Sequence, residues 1–118
     1  MLQWTQLPMP KNKAIILEVK GELDTEGVRA LEPVFLELCT NPEPHLILDC
    51  TQLRYVNSLG LGLLVTGLKR RGEQGHKLVL AGLQEPIRRL FEVVRFNRIF
   101  LINETIGQAL EAIDGPTR

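Results

Sequence analysis

Asn57-Ser58-Leu59-Gly60-Leu61-Gly62 is the stretch of this sequence whose residue types and spacing offer the most chemistry. It follows an extended, partly apolar segment and opens a helical pattern. Asn and Ser are both strong helix caps, and a serine at that place sits beside free backbone N–H groups and the positive end of the helix dipole. A phosphate attached to Ser58 would find donors ready for it. Two glycines in a first helical turn are costly, each about 1 kcal/mol worse than alanine, and glycine lets another group approach the backbone closely. Three readings fit the segment. Ser58 caps the helix and the glycines permit tight packing on a sheet; or Gly60-x-Gly62 is a dinucleotide loop; or Ser58 is a phosphorylatable residue on a docking surface. The second is a poor match, because the third glycine position holds Val65 and no lysine or metal carboxylate follows the loop closely.

Catalytic sets are missing elsewhere. His45 and His76 each stand alone in sequence, at a strand start and in a turn. There is no HExxH, CxxC or Walker lysine motif, and Ser58 does not sit in a G-x-S-x-G elbow. No enzyme, cofactor or metal is therefore expected. Cys39 and Cys50 lie in apolar runs and read as buried, reduced thiols. Lys+Arg and Asp+Glu are 14 each, so the net charge is zero, with no basic excess for nucleic acid. Lys69-Arg70-Arg71 reads as helix-end cations, and Arg88, Arg89, Arg95 and Arg98 as a solvated basic face. The longest mostly apolar run, Leu59 to Leu68, is far short of the roughly 20 residues that span a bilayer. The first residues show no basic-then-apolar leader. A cytoplasmic protein with no direct membrane insertion is expected.

The elements that must position the Ser58 segment follow from periodicity. The length, 118 residues, suits one domain over 1–118. Leu2 to Leu7 reads as an edge strand and Ala14 to Val19 as a buried strand, joined by the polar turn PMPKNK as a hairpin. Lys20 to Asp24 is expected to stop that strand, with Asp24 capping a helix whose apolar positions are Val28, Leu31, Phe35 and Leu38. Pro33 predicts a kink or a helix in two pieces, ending near Asn41-Pro42. His45 to Cys50 predicts a second strand, Thr51 to Ser58 a loop, and Leu59 to Arg71 a helix. Leu78 to Ala81 is a third strand. A helix opens at Gln84-Glu85-Pro86 with a buried stripe of Ile87, Leu90, Phe91 and Val94. Ile99 to Ile102 is a last short strand, and Thr105 caps a helix carrying Ile106, Ala109, Leu110 and Ile113. The fold class is α/β: a single layer of mixed sheet, about four to five strands, with about four helices.

Three segments in order add a resemblance. Gly21-Glu22-Leu23-Asp24 looks like the G-E-L-D element of the STAS family, the anti-sigma-factor antagonists and related domains. Asn57 to Gly62 resembles that family's D-S-[ST]-G-L-G loop, and Arg88-Arg89-Leu90-Phe91-Glu92 its late K/R-R-L-F segment. The likeness spans roughly Ala14 to Ile113. It implies a protein, monomer or weak dimer, that binds an anti-sigma factor which is also a serine kinase, and so frees a sigma factor. Phosphorylation at the Ser58 position ends the complex and a phosphatase resets it. Glu22, Asp24, Asn57, Ser58, Leu59, Gly60, Leu61 and Gly62 are the implied partner contacts. Two positions depart from the pattern: Asn57 stands where the family has aspartate, and Leu59 where it has a second hydroxyl. Related domains imply the alternative of a subunit in a membrane transport complex or a signalling scaffold.

Overall fold

Continuous apolar runs become the strands of one sheet, because both faces of its centre are covered. The computed structural model describes residues 1–8, 14–40 and 45–114. Strands β2 (Ile15–Leu23), β3 (His45–Val56), β4 (Lys77–Ala81) and β5 (Leu101–Asn103) pair in parallel. Strand β1 (Gln3–Pro8) joins β2 antiparallel, as the expected hairpin requires, giving the order β1-β2-β3-β4-β5. Helices α1 (Thr25–Thr40), α2 (Ser58–Glu73), α3 (Glu85–Val93) and α4 (Ile106–Asp114) complete the described chain. Leu17, Leu46, Leu48, Leu78 and Leu80 pack against Leu31, Phe35, Leu64 and Phe91 on the face that α1, α2 and α3 cover. Ile16, Ile47, Val79 and Ala81, on the other face, meet Ala109 of α4 with Ile106, Leu110 and Ile113 around it. Parallel strands buried on both faces lose the polar alternation of half-exposed ones. The mixed five-stranded sheet with four helices is the expected fold class.

Several expectations change. The stop expected over Lys20 to Asp24 comes only at Asp24, after β2 has run on to Leu23, and Thr51 to Val56 is not a loop. Residues 20–23 and 51–56 are strand, paired from Lys20↔Gln52 to Leu23↔Val56 across one register shift, with a second just before Lys20. Leu53 and Val56 are buried while Gln52, Arg54 and Tyr55 are exposed, so the apolar run was broken although the strand was not. Pro33 does not split α1, which runs unbroken through it. Pro33 is exposed, so the missing donor faces solvent. Val94 is not part of a buried stripe, and Leu90 is only half-buried; Ile87 and Phe91 carry the face. The chain leaves α3 through Arg95 at φ 65° into a short 3-10 turn, Phe96–Arg98, and the expected last strand begins at Leu101 rather than Ile99. Phe96 and Phe100 then stack on Phe91 with ring centroids 5.8 and 5.9 Å away. His45 and His76 do not stand alone: parallel register brings the rings to 5.4 Å, edge to face, and the Lys77 N–H donates to His45 Nδ1 at 3.0 Å. The expected PMPKNK turn and the Asn41-Pro42 helix end fall largely or wholly outside the described residues.

Arg71 overturns the expectation of a merely surface basic cluster. It is 1% exposed, and its Nη1 donates to the carbonyls of Leu38 and Cys39 at 3.1 and 3.3 Å. These are last-turn carbonyls of α1, which lack partners inside their own helix. A buried charge held by hydrogen bonds is costly to remove, because its partners stay buried. Arg71→Met is expected to lower stability by about 2–3 kcal/mol in urea unfolding, with little recovery in Arg71→Lys. Cys39 and Cys50 are buried and free, as expected. Burial pushes the Cys39 thiol up to about 12 and raises that of Cys50 as well. A thiol raised in the folded state stabilises fully below its unfolded pKa of about 8.5, and that contribution is lost as pH rises toward the folded value. The urea midpoint should therefore fall above about pH 9, and fall less steeply in a Cys39→Ala/Cys50→Ala variant.

Candidate functional site

The paired extension of β2 and β3 reaches past the body of the sheet. Pairing of β3 with β4 ends at Asp49↔Ala81, whereas pairing with β2 continues to Leu23↔Val56. Each strand of this two-stranded arm hands over to a helix at once. Asp24 follows β2 and caps α1: its Oδ1 accepts from the Gly27 N–H at 2.9 Å and its carbonyl from the Val28 N–H at 2.8 Å. Asn57 follows β3 and caps α2: its Oδ1 accepts from the Gly60 N–H at 3.0 Å and its carbonyl from the Leu61 N–H at 3.0 Å. The Asn57 N–H donates to the Leu23 carbonyl at 3.1 Å, so the two caps lie side by side. Asn57 Nδ2 also donates to Thr25 Oγ1 at 3.4 Å, joining the first residues of both helices.

Asn57, not Ser58, is therefore the cap. Ser58 is the first residue of α2, exposed, and its hydroxyl makes no hydrogen bond among the described residues. An amide oxygen caps as well as a carboxylate, so the position needs no charge to start the helix. A carboxylate could not make the donation to Thr25. Glu22 lies on the same arm, half-buried, and is engaged: its carboxylate meets Arg54 Nη2 at 3.0 Å and the Met1 ammonium at 2.9 Å. Those two cations hold its carboxyl below the usual carboxylate range, the ammonium having the larger effect.

The two loop glycines serve different ends. A Cβ at Gly60 would lie 2.9 Å from Leu23 Cγ, the Leu23 carbonyl and Val56 Cγ1, so this glycine lets α2 seat on the arm. Its amide is already taken by Asn57, and its space by Leu23 and Val56, which leaves no room there for a pyrophosphate. At Gly62 nothing lies within 4 Å of a Cβ. Gly62 is exposed, Leu61 is half-buried, and Leu59 is 52% exposed despite its size. Ser58, Leu59 and Gly62 line a groove between α1 and α2 with Thr25, Arg29 and Glu32 opposite. The structure thus brings Asp24, Asn57, Ser58, Leu59 and Gly62 to one end of the molecule, with Gly60 beneath them and Glu22 bracing the arm. Sequence reasoning missed Thr25 and Arg29. Their spacing, with Glu32, marks one face of α1, but only the packing of α1 beside α2 turns that face toward Ser58. Among the described residues no group of His, Cys, Asp and Glu could hold a metal ion, and no helix is long and apolar enough to cross a membrane.

The difference between the glycines can be measured. Gly60→Ala is expected to destabilise by about 1–3 kcal/mol through overpacking, whereas Gly62→Ala should stabilise by up to about 1 kcal/mol through helix propensity. Thermal or urea unfolding of the two variants reads both signs.

Comparison with known proteins agrees with this architecture. Residues 6–109 match the STAS domain model. Over 94 residues the chain is 30% identical to the anti-sigma-B factor antagonist of Staphylococcus aureus, covering 80% of this chain and 87% of that one. An anti-sigma factor antagonist from Mycobacterium paratuberculosis superimposes with a TM-score of 0.87 at 20% identity, covering 98% of this chain and 96% of its own. The phosphorylated form of the Bacillus cell fate determinant SpoIIAA gives a TM-score of 0.72 at 15% identity, with 94% and 99% covered. The two structural likenesses carry the fold; the family match and the Staphylococcus relative carry the membership. On those matches, and on a sheet whose parallel arm sets two helix starts side by side, the chain belongs to the STAS domain family.

Proposed function

We propose that this chain is an anti-sigma-factor antagonist that works as a single, non-catalytic domain in the cytoplasm. Its binding face is the end of the molecule where α1 and α2 begin. One observation carries the reading: Ser58 presents an uncommitted hydroxyl between an exposed leucine and a bare glycine, on a helix start capped by another residue. The partner is an anti-sigma factor that is also a serine kinase. It docks over Leu59 and Gly62, with Asp24 at the margin, and then phosphorylates Ser58. A phosphatase restores the binding form. This reading draws on the Staphylococcus relative, which is named an anti-sigma-B factor antagonist.

The switch is electrostatic and steric. A phosphate adds about −1.5 to −2 charge at neutral pH. Ser58 is followed by the exposed Leu59 and shares its groove with the bare Gly62, so a partner docked over these residues would press against a dianion and carry the cost of desolvating it. Each 1.4 kcal/mol of such a penalty is tenfold in affinity, and no refolding is needed to apply it. Asn57 suits this scheme. It starts the helix as the family's aspartate would, without placing a second negative charge beside the phosphate.

Titration calorimetry against the cognate anti-sigma kinase tests the proposal. Ser58→Ala should bind within a few-fold of wild type and accept no phosphate by intact mass. Ser58→Asp and the phosphorylated protein should bind at least about 100-fold more weakly, a loss near 3 kcal/mol. Asp24→Asn should keep its melting temperature, since both residues cap well, while losing affinity. Tight binding by the phosphorylated form would overturn the switch.

A further inference from the structure

The groove beside Ser58 contains a cation that pairs with none of the described residues. Arg29 lies on α1, exposed, one turn beyond Thr25. Thr25 is the residue that Asn57 ties to the start of α2. Arg29 and Ser58 line the same groove, and Arg29 makes no hydrogen bond or ion pair with any described residue. Glu32, one turn further along the same face, also lines the groove but does not reach the guanidinium. The other cations are elsewhere. Arg54 is paired with Glu22. Lys69 and Arg70 sit three turns along α2 from Ser58, a separation of about 16 Å at the helical rise, and they line a different hollow with Thr40 and Glu73. Among the described residues Arg29 is the one cation in the groove of Ser58.

We infer that Arg29 is an intramolecular clamp for a phosphate on Ser58. The inference rests on the reading above only in taking Ser58 as the modified residue. A guanidinium offers a planar fork of donors that matches phosphate oxygens two at a time. Closing that pair across the groove links the first turns of α1 and α2 and lays the Arg29 side chain over Gly62. Phosphorylation then changes the docking face in two ways: it adds charge, and it covers the floor on which the partner would sit. The clamp also favours the dianion over the monoanion, since a nearby opposite charge favours the more ionised form. A carboxylate at position 58 is shorter and carries a single charge, so Ser58→Asp reproduces the repulsion but not the cover.

The test installs phosphoserine at position 58 during translation, so that no kinase is required. A phosphorus NMR titration then reads the second ionisation of the phosphate. In the wild-type background it should fall below its ordinary value of about 6, and in Arg29→Gln it should lie higher by about half a unit or more. Phosphorylation should raise the melting temperature of wild type more than that of Arg29→Gln, while the unphosphorylated pair melt alike because Arg29 has no hydrogen bond or ion pair with a described residue to lose. Identical titration curves in the two backgrounds would overturn the clamp. Calorimetry with the anti-sigma kinase separates the two ideas. A phosphorylated Arg29→Gln protein that still fails to bind leaves the switch standing whatever the titration shows. A phosphorylated wild type that binds tightly removes the switch without touching the clamp.

Discussion

The hydrogen bond from the Asn57 N–H to the Leu23 carbonyl ends the parallel pairing of β2 and β3, and the candidate site hangs from it. The pairs before it, up to Leu23↔Val56, bring the strand ends together, and this rung fixes the last of them. With it, Asp24 and Asn57 stand on neighbouring strand ends, each capping a helix that turns back over the same face of the sheet. Parallel pairing imposes this arrangement, since both strands run in one direction and both chains must leave at the same end. Ligand sites of open α/β sheets gather at the carboxyl ends of parallel strands for the same reason. Here the end of the sheet is occupied by side chains of the protein's own caps, and what remains outward is a surface, with Ser58 and Leu59 at its crest.

The helix pair beneath that surface is tied at both ends. At the start, Asn57 Nδ2 reaches Thr25. In the middle, Gly67 leaves room for the Phe35 ring, which a Cβ would overlap, so the helices approach closely. At the far end, Arg71 of α2 holds the last carbonyls of α1. Close packing of this kind resists small displacements. A switch built on this pair acts through what is added to the surface, because the frame beneath has little freedom to move. The same rigidity explains why one glycine of the loop can be spent on packing while the other stays bare.

Much of this was legible in the chain. The apolar runs of β2, β3 and β4 stand out, because strands covered on both faces have nothing polar to interrupt them. Asp24 and Thr105 read correctly as caps, since their side chains bond backbone groups three residues on and need no distant partner. Ser58 stood out through its glycines. What was illegible depends on contacts far apart in sequence. The arm of β2 and β3 looked like a stop and a loop because polar, exposed residues interrupt its apolar ones. Arg71 looked like a surface cation because nothing local announces the carbonyls that await it 32 and 33 residues away. The histidines looked isolated until register paired their strands. Pro33 looked disruptive because sequence alone does not show that its missing donor faces water.

The arm has a temporal meaning as well as a spatial one. Residues 20–23 find their partners at 52–56 only after the whole of α1 has been made and folded back, and non-local parallel pairing is slow to form because loop closure must precede its reward. The two caps meet no earlier than that. A nascent chain, a proteolytic fragment or a partly melted molecule can hold the residues of the candidate site without ever assembling it. The two helix starts are thus a late product of folding: their neighbourhood exists only in copies whose crossover has closed.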